Sequence, residues 1–164
     1  MPPTLNVTDP QIWLNYNTYN LTTGARCWYN NDSLTNNNTY GILYNWYVVQ
    51  TGKICPNTWH VASDAEWTLL TTFLGINTAG NSLKESGTIH WQPQNSGATN
   101  SSGFTALPGG FRGYTGSFEG KIQYAGLWWT SNYGTIWILK SDFSTAVRSV
   151  SGPTPAFSIR CIKD

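Results

Sequence analysis

Ser63-Asp64-Ala65-Glu66 constrains the fold of this chain more than any other segment. A serine can cap a free backbone N–H of a first helical turn, and a glutamate three residues on can reach back to the serine's own N–H, so the four residues predict a helix start. Trp67, Leu70 and Leu74 then recur at the spacing of one apolar face, and Gly75 supplies a stop. An earlier helix is predicted over Tyr40–Gln50, where Leu43, Trp46, Tyr47 and Val49 approach a helical period and Gly52 follows as a C-terminal glycine. After Gly75 no further helix is expected. Residues 77–110 read as long Gly-, Ser-, Thr- and Asn-rich loops anchored by Leu83, Trp91, Phe104 and Leu107, and loops of that length are often functional.

Strands are predicted late, at Phe111–Tyr114, Leu127–Thr130, Ile136–Lys140, Ala146–Val150 and Phe157–Ile162. The N-terminal stretch 1–38 is polar and broken by Pro2, Pro3, Pro10 and Gly24. It reads as short strands, including Gln11–Asn15, followed by a loop over 30–38. Two early helices and late strands predict an α+β class, and 164 residues fit a single domain, with residues 39–164 as its main body.

Charged residues form 10% of the chain and the net charge is +1, which excludes the clustered basic face of a nucleic-acid binder. No apolar run approaches the length of a membrane span, so membrane insertion is not expected. Met1–Pro10 lacks the charged and apolar regions of a signal peptide, so export is expected to rest on a signal outside this sequence or on carriage by a phage particle. Nine Trp and nine Tyr are interspersed with Asn, Thr, Ser and Gly, a mixture suited to a rigid exported domain that binds through rings and short polar groups. About two thirds of the tryptophans are expected in the core. Three cysteines without a CxxC or Cys/His cluster predict one bridge and one free thiol rather than a metal site.

Five segments share one pattern: Tyr40-Gly41-Ile42-Leu43-Tyr44-Asn45-Trp46, Ile54 to Trp67, Gly103 to Arg112, Trp128-Trp129-Thr130-Ser131 and Phe157 to Asp164. In this order they resemble the Fibrobacter succinogenes major paralogous domain, found on exported proteins of gut bacteria and related elements. That family is similar to the formylglycine-generating branch of the C-type lectin fold. The resemblance implies a C-type-lectin-like fold: two helices packed on a small twisted antiparallel sheet, with long loops. It also implies a Cys55–Cys161 bridge, worth about 4 kcal/mol, and a free Cys27.

The chemistry points away from catalysis. The related enzymes use a pair of cysteines near their C-terminus, and only Cys161 stands there. His60 lies in a framework motif, and His90 has no obvious carboxylate partner in the sequence. The acidic residues are scattered, and the Glu-Pro-Asn calcium triplet of sugar-binding lectins is absent, so no metal and no cofactor are expected. Trp59 and Trp128-Trp129 occupy framework positions and are expected to be core, although sugar stacking on exposed rings stays open.

Departures from the family pattern concentrate between Asn132 and Pro155, where Trp137, Leu139 and Arg148 are kept and the residues between them differ. Exchange of Asn and Tyr codons there resembles the proteins varied by diversity-generating retroelements; drift at exposed positions is the alternative. If pairing begins at Ile136, Trp137 and Leu139 face inward while Ile138, Lys140 and Phe143 face outward. Arg148 is expected as a framework donor. The expected ligand-binding residues are Tyr133, Ile138, Lys140, Asp142, Phe143, Thr145, Ser149, Ser151 and Thr154, with Phe143 as an apolar anchor. The expected partner is a protein or glycan, met on a cell surface by a domain outside the cytoplasm, on a bacterium or a phage virion. Oligomerisation is open. The alternative is a passive display module without a specific ligand.

Overall fold

In the computed structural model, which describes residues 4–18 and 22–164, no described element is longer than ten residues. The order is β1 (Leu5–Asn6), α1 (Pro10–Thr18), β2 (Ala25–Cys27), α2 (Ser33–Asn36), β3 (Leu43–Tyr44), α3 (Trp46–Gln50), β4 (Trp59–Val61), α4 (Asp64–Phe73) and α5 (Ala79–Leu83). It continues with β5 (Phe111–Arg112), β6 (Phe118–Glu119), β7 (Ala125–Trp129), β8 (Thr135–Lys140), β9 (Val147–Val150) and β10 (Cys161–Lys163). The fold is mixed α+β, with short helices and small sheets.

The capping box forms as expected. Ser63 Oγ accepts the Glu66 N–H at 3.2 Å, and the Glu66 carboxylate accepts the Ser63 N–H at 2.7 Å. Gly75 ends the segment at φ +87°, a conformation that costs a residue with a Cβ much more. Four expectations about helices are corrected. Gln11–Asn15 is helix α1 rather than strand: Asp9 accepts the Gln11 N–H, Pro10 takes the first helical position, and Trp13 and Tyr16 are buried one turn apart. The 30–38 loop holds α2, capped by Asp32, which accepts the Thr35 N–H. The helix expected from Tyr40 begins only at Trp46, because Leu43 and Tyr44 pair with β2 and Tyr44 with Phe157. Residues 79–83 also form a helix that their weak formers Gly, Asn and Ser do not announce.

The central sheet is antiparallel in the order β7-β8-β9, with Trp128 opposite Trp137 and Trp137 opposite Arg148. On one face Trp128, Trp137 and Leu139 pack with Trp67, Leu83 and Trp91; Trp67 and Trp137 stack at 5.8 Å with an 11° interplanar angle. Burial of each such ring contributes about 1.5–3 kcal/mol. On the other face Ala125, Leu127, Trp129 and Ile136 pack with Trp46, Val49, Val61 and Phe157. With both faces covered, alternation along β8 does not separate core from solvent. Ile138 is therefore half-buried against this second cluster, not an outward-facing contact.

A third cluster joins Val7, Trp13, Tyr16, Ala25, Cys27, Leu43 and Ala156. Buried Arg112 closes it: its guanidinium lies 4.5 Å from the Trp13 ring centre and donates to the carbonyls of Val7, Thr8 and Gly116. Cys55 and Cys161 are bridged, and β10 pairs antiparallel with β4 beside them. Cys27 is free and buried, and burial pushes its thiol up to about 12. Trp13, Trp46, Trp67, Trp91, Trp128, Trp129 and Trp137 are buried. Trp59 is not core: it sits at the outer end of the two-stranded β4–β10 ribbon, opposite Lys163, and is 42% exposed.

Candidate functional site

The turn between β8 and β9 gathers Lys140, Asp142, Phe143 and Thr145. It is held from beneath by Lys84, which is 1% exposed and directly follows α5. Lys84 Nζ donates to the carbonyls of Lys140 at 2.9 Å, Phe143 at 2.8 Å and Ser141 at 3.4 Å, and lies 5.6 Å from the Trp91 ring centre. Burial lowers this ammonium from 10.5 to about 8, against the pull of the Asp142 carboxylate. Helix α5 also braces the turn through the Asn81 N–H, which donates to Ser144 O at 3.1 Å. Gly80 permits that approach: a Cβ there would lie 2.5 Å from the Thr145 carbonyl oxygen.

On this fixed backbone Phe143 is 41% exposed, and Lys140 Nζ stands 5.0 Å from its ring centre. Asp142 is exposed, and Tyr124 Oη donates to its Oδ2 at 3.4 Å. The turn thus presents an aromatic ring between a cation and a carboxylate.

The other expected contacts do not join it. Tyr133 is 66% exposed at the opposite end of the hairpin, edge-on to Trp46 at 4.8 Å. Ser149 pairs with Ile136, and the Ser151 N–H donates to Gly134 O at that same end. Five strand rises of about 3.3 Å put Thr135 about 17 Å from Lys140. Thr154 is interior rather than ligand-facing: it is 4% exposed, and its carbonyl accepts the Trp13 Nε1–H at 3.1 Å. The chain leaves edge strand β9 at Val150 and turns inward, so the surface run ends before Thr154. Arg148 is a framework residue, as expected: its Nε donates to both Asp64 oxygens at 2.8 and 2.9 Å, while Trp137 Nε1 donates to Oδ1 at 3.0 Å. Those bonds, Arg148's first, hold the Asp64 carboxyl below its ordinary value.

Both histidines have carboxylate partners. His60 Nδ1 meets Asp164 at 2.6 Å and Nε2 meets Glu66 at 2.9 Å, which raises its pKa and leaves neither ring nitrogen open as a base. His90 pairs with Glu85 at 2.9 Å, a carboxylate partner not expected from the sequence although it lies only five residues away. An open groove of about 730 Å³ beside α4, not among the expected sites, is lined by Leu69, Leu70, Phe73, Phe104, Arg160 and Ile162 among others. Its signal was legible: Leu69 and Phe73 stand four residues apart on the side of α4 away from Trp67 and Thr71.

Among the described residues no group of three or more His, Cys, Asp or Glu is placed to hold a metal ion, and no helix is long and apolar enough to cross a membrane. Comparison with curated proteins and with solved structures gives no match. The family whose pattern the sequence does match, over residues 5–163, is the Fibrobacter succinogenes major domain, and the chain belongs to that family.

Proposed function

We propose that this chain is an extracytoplasmic recognition domain that contacts a protein or glycan through the 140–145 turn. The observation that carries the reading is Lys84. A buried ammonium with its donors on the carbonyls of one turn fixes that turn before any ligand arrives, and a contact surface ordered in advance loses less entropy on binding. Phe143 then serves as the anchor, with Lys140 and Asp142 as charged neighbours that select orientation. The Cys55–Cys161 bridge supports a location outside the cytoplasm, on a bacterial surface or a phage virion, since such bonds persist in oxidising compartments. A C-type-lectin-like arrangement is the architecture we favour, because the bridge ties the segment before the capped helix α4 to the last strand, as the family resemblance implies.

The test is a protein and glycan array probed with the folded domain. Phe143→Ala and Lys140→Ala are expected to lose binding, whereas Ser149→Ala and Ser151→Ala, at the far end of the hairpin, retain it. Unchanged binding by the first two variants sinks the assignment, and a wild-type chain that captures nothing favours passive display. Retroelement diversification would act on the same turn. A reverse-transcriptase gene beside a near-identical adenine-rich repeat in the source genome is the outcome that reading requires.

A further inference from the structure

Helix α4 is apolar on two sides. Trp67 and Thr71 turn inward and are buried, yet Leu69 is 71% exposed and Phe73 84% exposed on the side that an amphipathic surface helix gives to polar residues. The groove of about 730 Å³ lies between this second side and the residues Phe104, Arg160 and Ile162. Its size and apolar lining are those of a small-ligand site, where a few placed polar groups set orientation.

Two charged residues line it, Glu66 and Arg160, and they differ in how far they are committed. The Glu66 carboxylate already accepts from the Ser63 N–H, Ser63 Oγ and His60. The Arg160 guanidinium lies 4.2 Å from the Phe104 ring centre, and among the described residues one bond is seen from it, Nη2 to Phe104 O at 2.9 Å. A guanidinium has five N–H donors, so Arg160 keeps capacity for an anion. It also borders a second cavity of about 400 Å³ whose lining includes Asn37, Tyr40 and Ser158. Arg160 therefore stands where an apolar cavity meets a polar one.

A peptide suits the apolar part poorly. Its buried backbone would need hydrogen-bond partners, but the helix side spends its backbone groups internally, and Arg160 O is already taken by the Ala62 N–H. An alkyl or aryl chain makes no such demand. From these observations we infer that the groove beside α4 binds a single-chain anionic amphiphile, with its head on Arg160 and its tail along Leu69, Leu70 and Phe73. The site is separate from the 140–145 turn and shares no residue with it.

Isothermal titration of the whole domain, below the aggregation threshold of each probe, tests this with decanoate, 1-decanol, inorganic phosphate and a capped apolar peptide. Decanoate is expected to bind at one site, with 1-decanol about tenfold weaker or more, as loss of a hydrogen bond between charged groups implies, and with phosphate silent. Arg160→Ala lowers decanoate affinity to that of 1-decanol and leaves 1-decanol unchanged. Phe73→Ser, at an exposed position where folding is kept, weakens both chains by about threefold or more. Equal affinity for decanoate and 1-decanol, wild-type decanoate binding by Phe73→Ser, or tighter binding of the peptide each overturns the inference. So does a concentration-dependent dimer abolished by Phe73→Ser, which makes the face a subunit interface.

Discussion

Replacing Lys84 with methionine separates the two consequences of burying an ammonium under the 140–145 turn. Methionine keeps an apolar stem beside Trp91 but removes the charge and the donors to Lys140, Ser141 and Phe143. In the native protein Lys84 titrates at about 8, against 10.5 for the free side chain. Between those values the unfolded chain holds a proton that the native chain has released, so stability rises with pH through this window. Below pH 8 both states are protonated and the burial penalty is felt in full. Integrating the two titrations gives a rise of about 2 kcal/mol between pH 8 and 10. Several tyrosines have values raised by burial, Tyr44 and Tyr16 among them, and they act in the opposite direction as the pH passes 10. Their effect is common to both proteins and cancels in the difference between wild type and Lys84→Met. Urea unfolding at half-unit intervals from pH 7 to 10 is therefore expected to give a difference curve that climbs with pH. A flat or falling curve refutes the claim that this ammonium is held at the cost of its hydration. Amide exchange adds a structural readout: the N–H groups of Ser141 and Phe143 are expected to lose protection in Lys84→Met, because the carbonyls that fix their turn have lost their donor.

Other perturbations follow from single contacts. Gly80→Ala gains helix propensity but sets a Cβ 2.5 Å from Thr145 O and 2.7 Å from Ser144 O, both backbone atoms; a net loss of about 1–3 kcal/mol in thermal or urea unfolding is expected, and a stabilised variant contradicts the packing. Removing the Cys55–Cys161 bridge by a double alanine change frees a loop of sequence separation 106, with an expected loss of about 4 kcal/mol on the chain-entropy account, read from the urea midpoint. Asp64 titrates below its free value of 3.8 because of Arg148, so its contribution is present above that value and is lost as the pH falls through the native one; Asp64→Asn is expected to flatten the acid limb of the stability profile, and an unchanged limb assigns acid sensitivity elsewhere.

Local signals carried the sequence reading where one element decides its own conformation. The capping box and Gly75 bound α4 in four or five residues, and Trp128 and Trp129 lie on the buried strand expected of them. Asp9-Pro10 is an equally local helix start, but the short run Gln11–Asn15 that follows also fits a strand. The separation of the expected contacts between the two ends of the hairpin, and the burial of Ile138, have a different cause. A period of two tells inside from outside only when one face of a sheet is solvated, and the helices and loops that cover both faces of β8 come from distant parts of the chain. Nor does the sequence mark Lys84 as buried, since the three carbonyls that make its burial tolerable lie 56 to 59 residues away.

The cysteine pairing bears on folding under oxidising conditions. Cys27 stands 28 positions before Cys55, whereas the true partner Cys161 lies 106 positions after it. The wrong bridge is thus available long before the right one. Loop closure alone favours the shorter ring. In the folded protein Cys27 is withdrawn from exchange by burial in the N-terminal cluster, which takes Arg112 and Ala156 from downstream of Cys55, and burial keeps its thiol protonated; a buried, neutral thiol is a poor nucleophile. The completed fold therefore protects the right pairing, and the shorter ring is open to Cys27 only until Arg112 and Ala156 have joined the cluster around it.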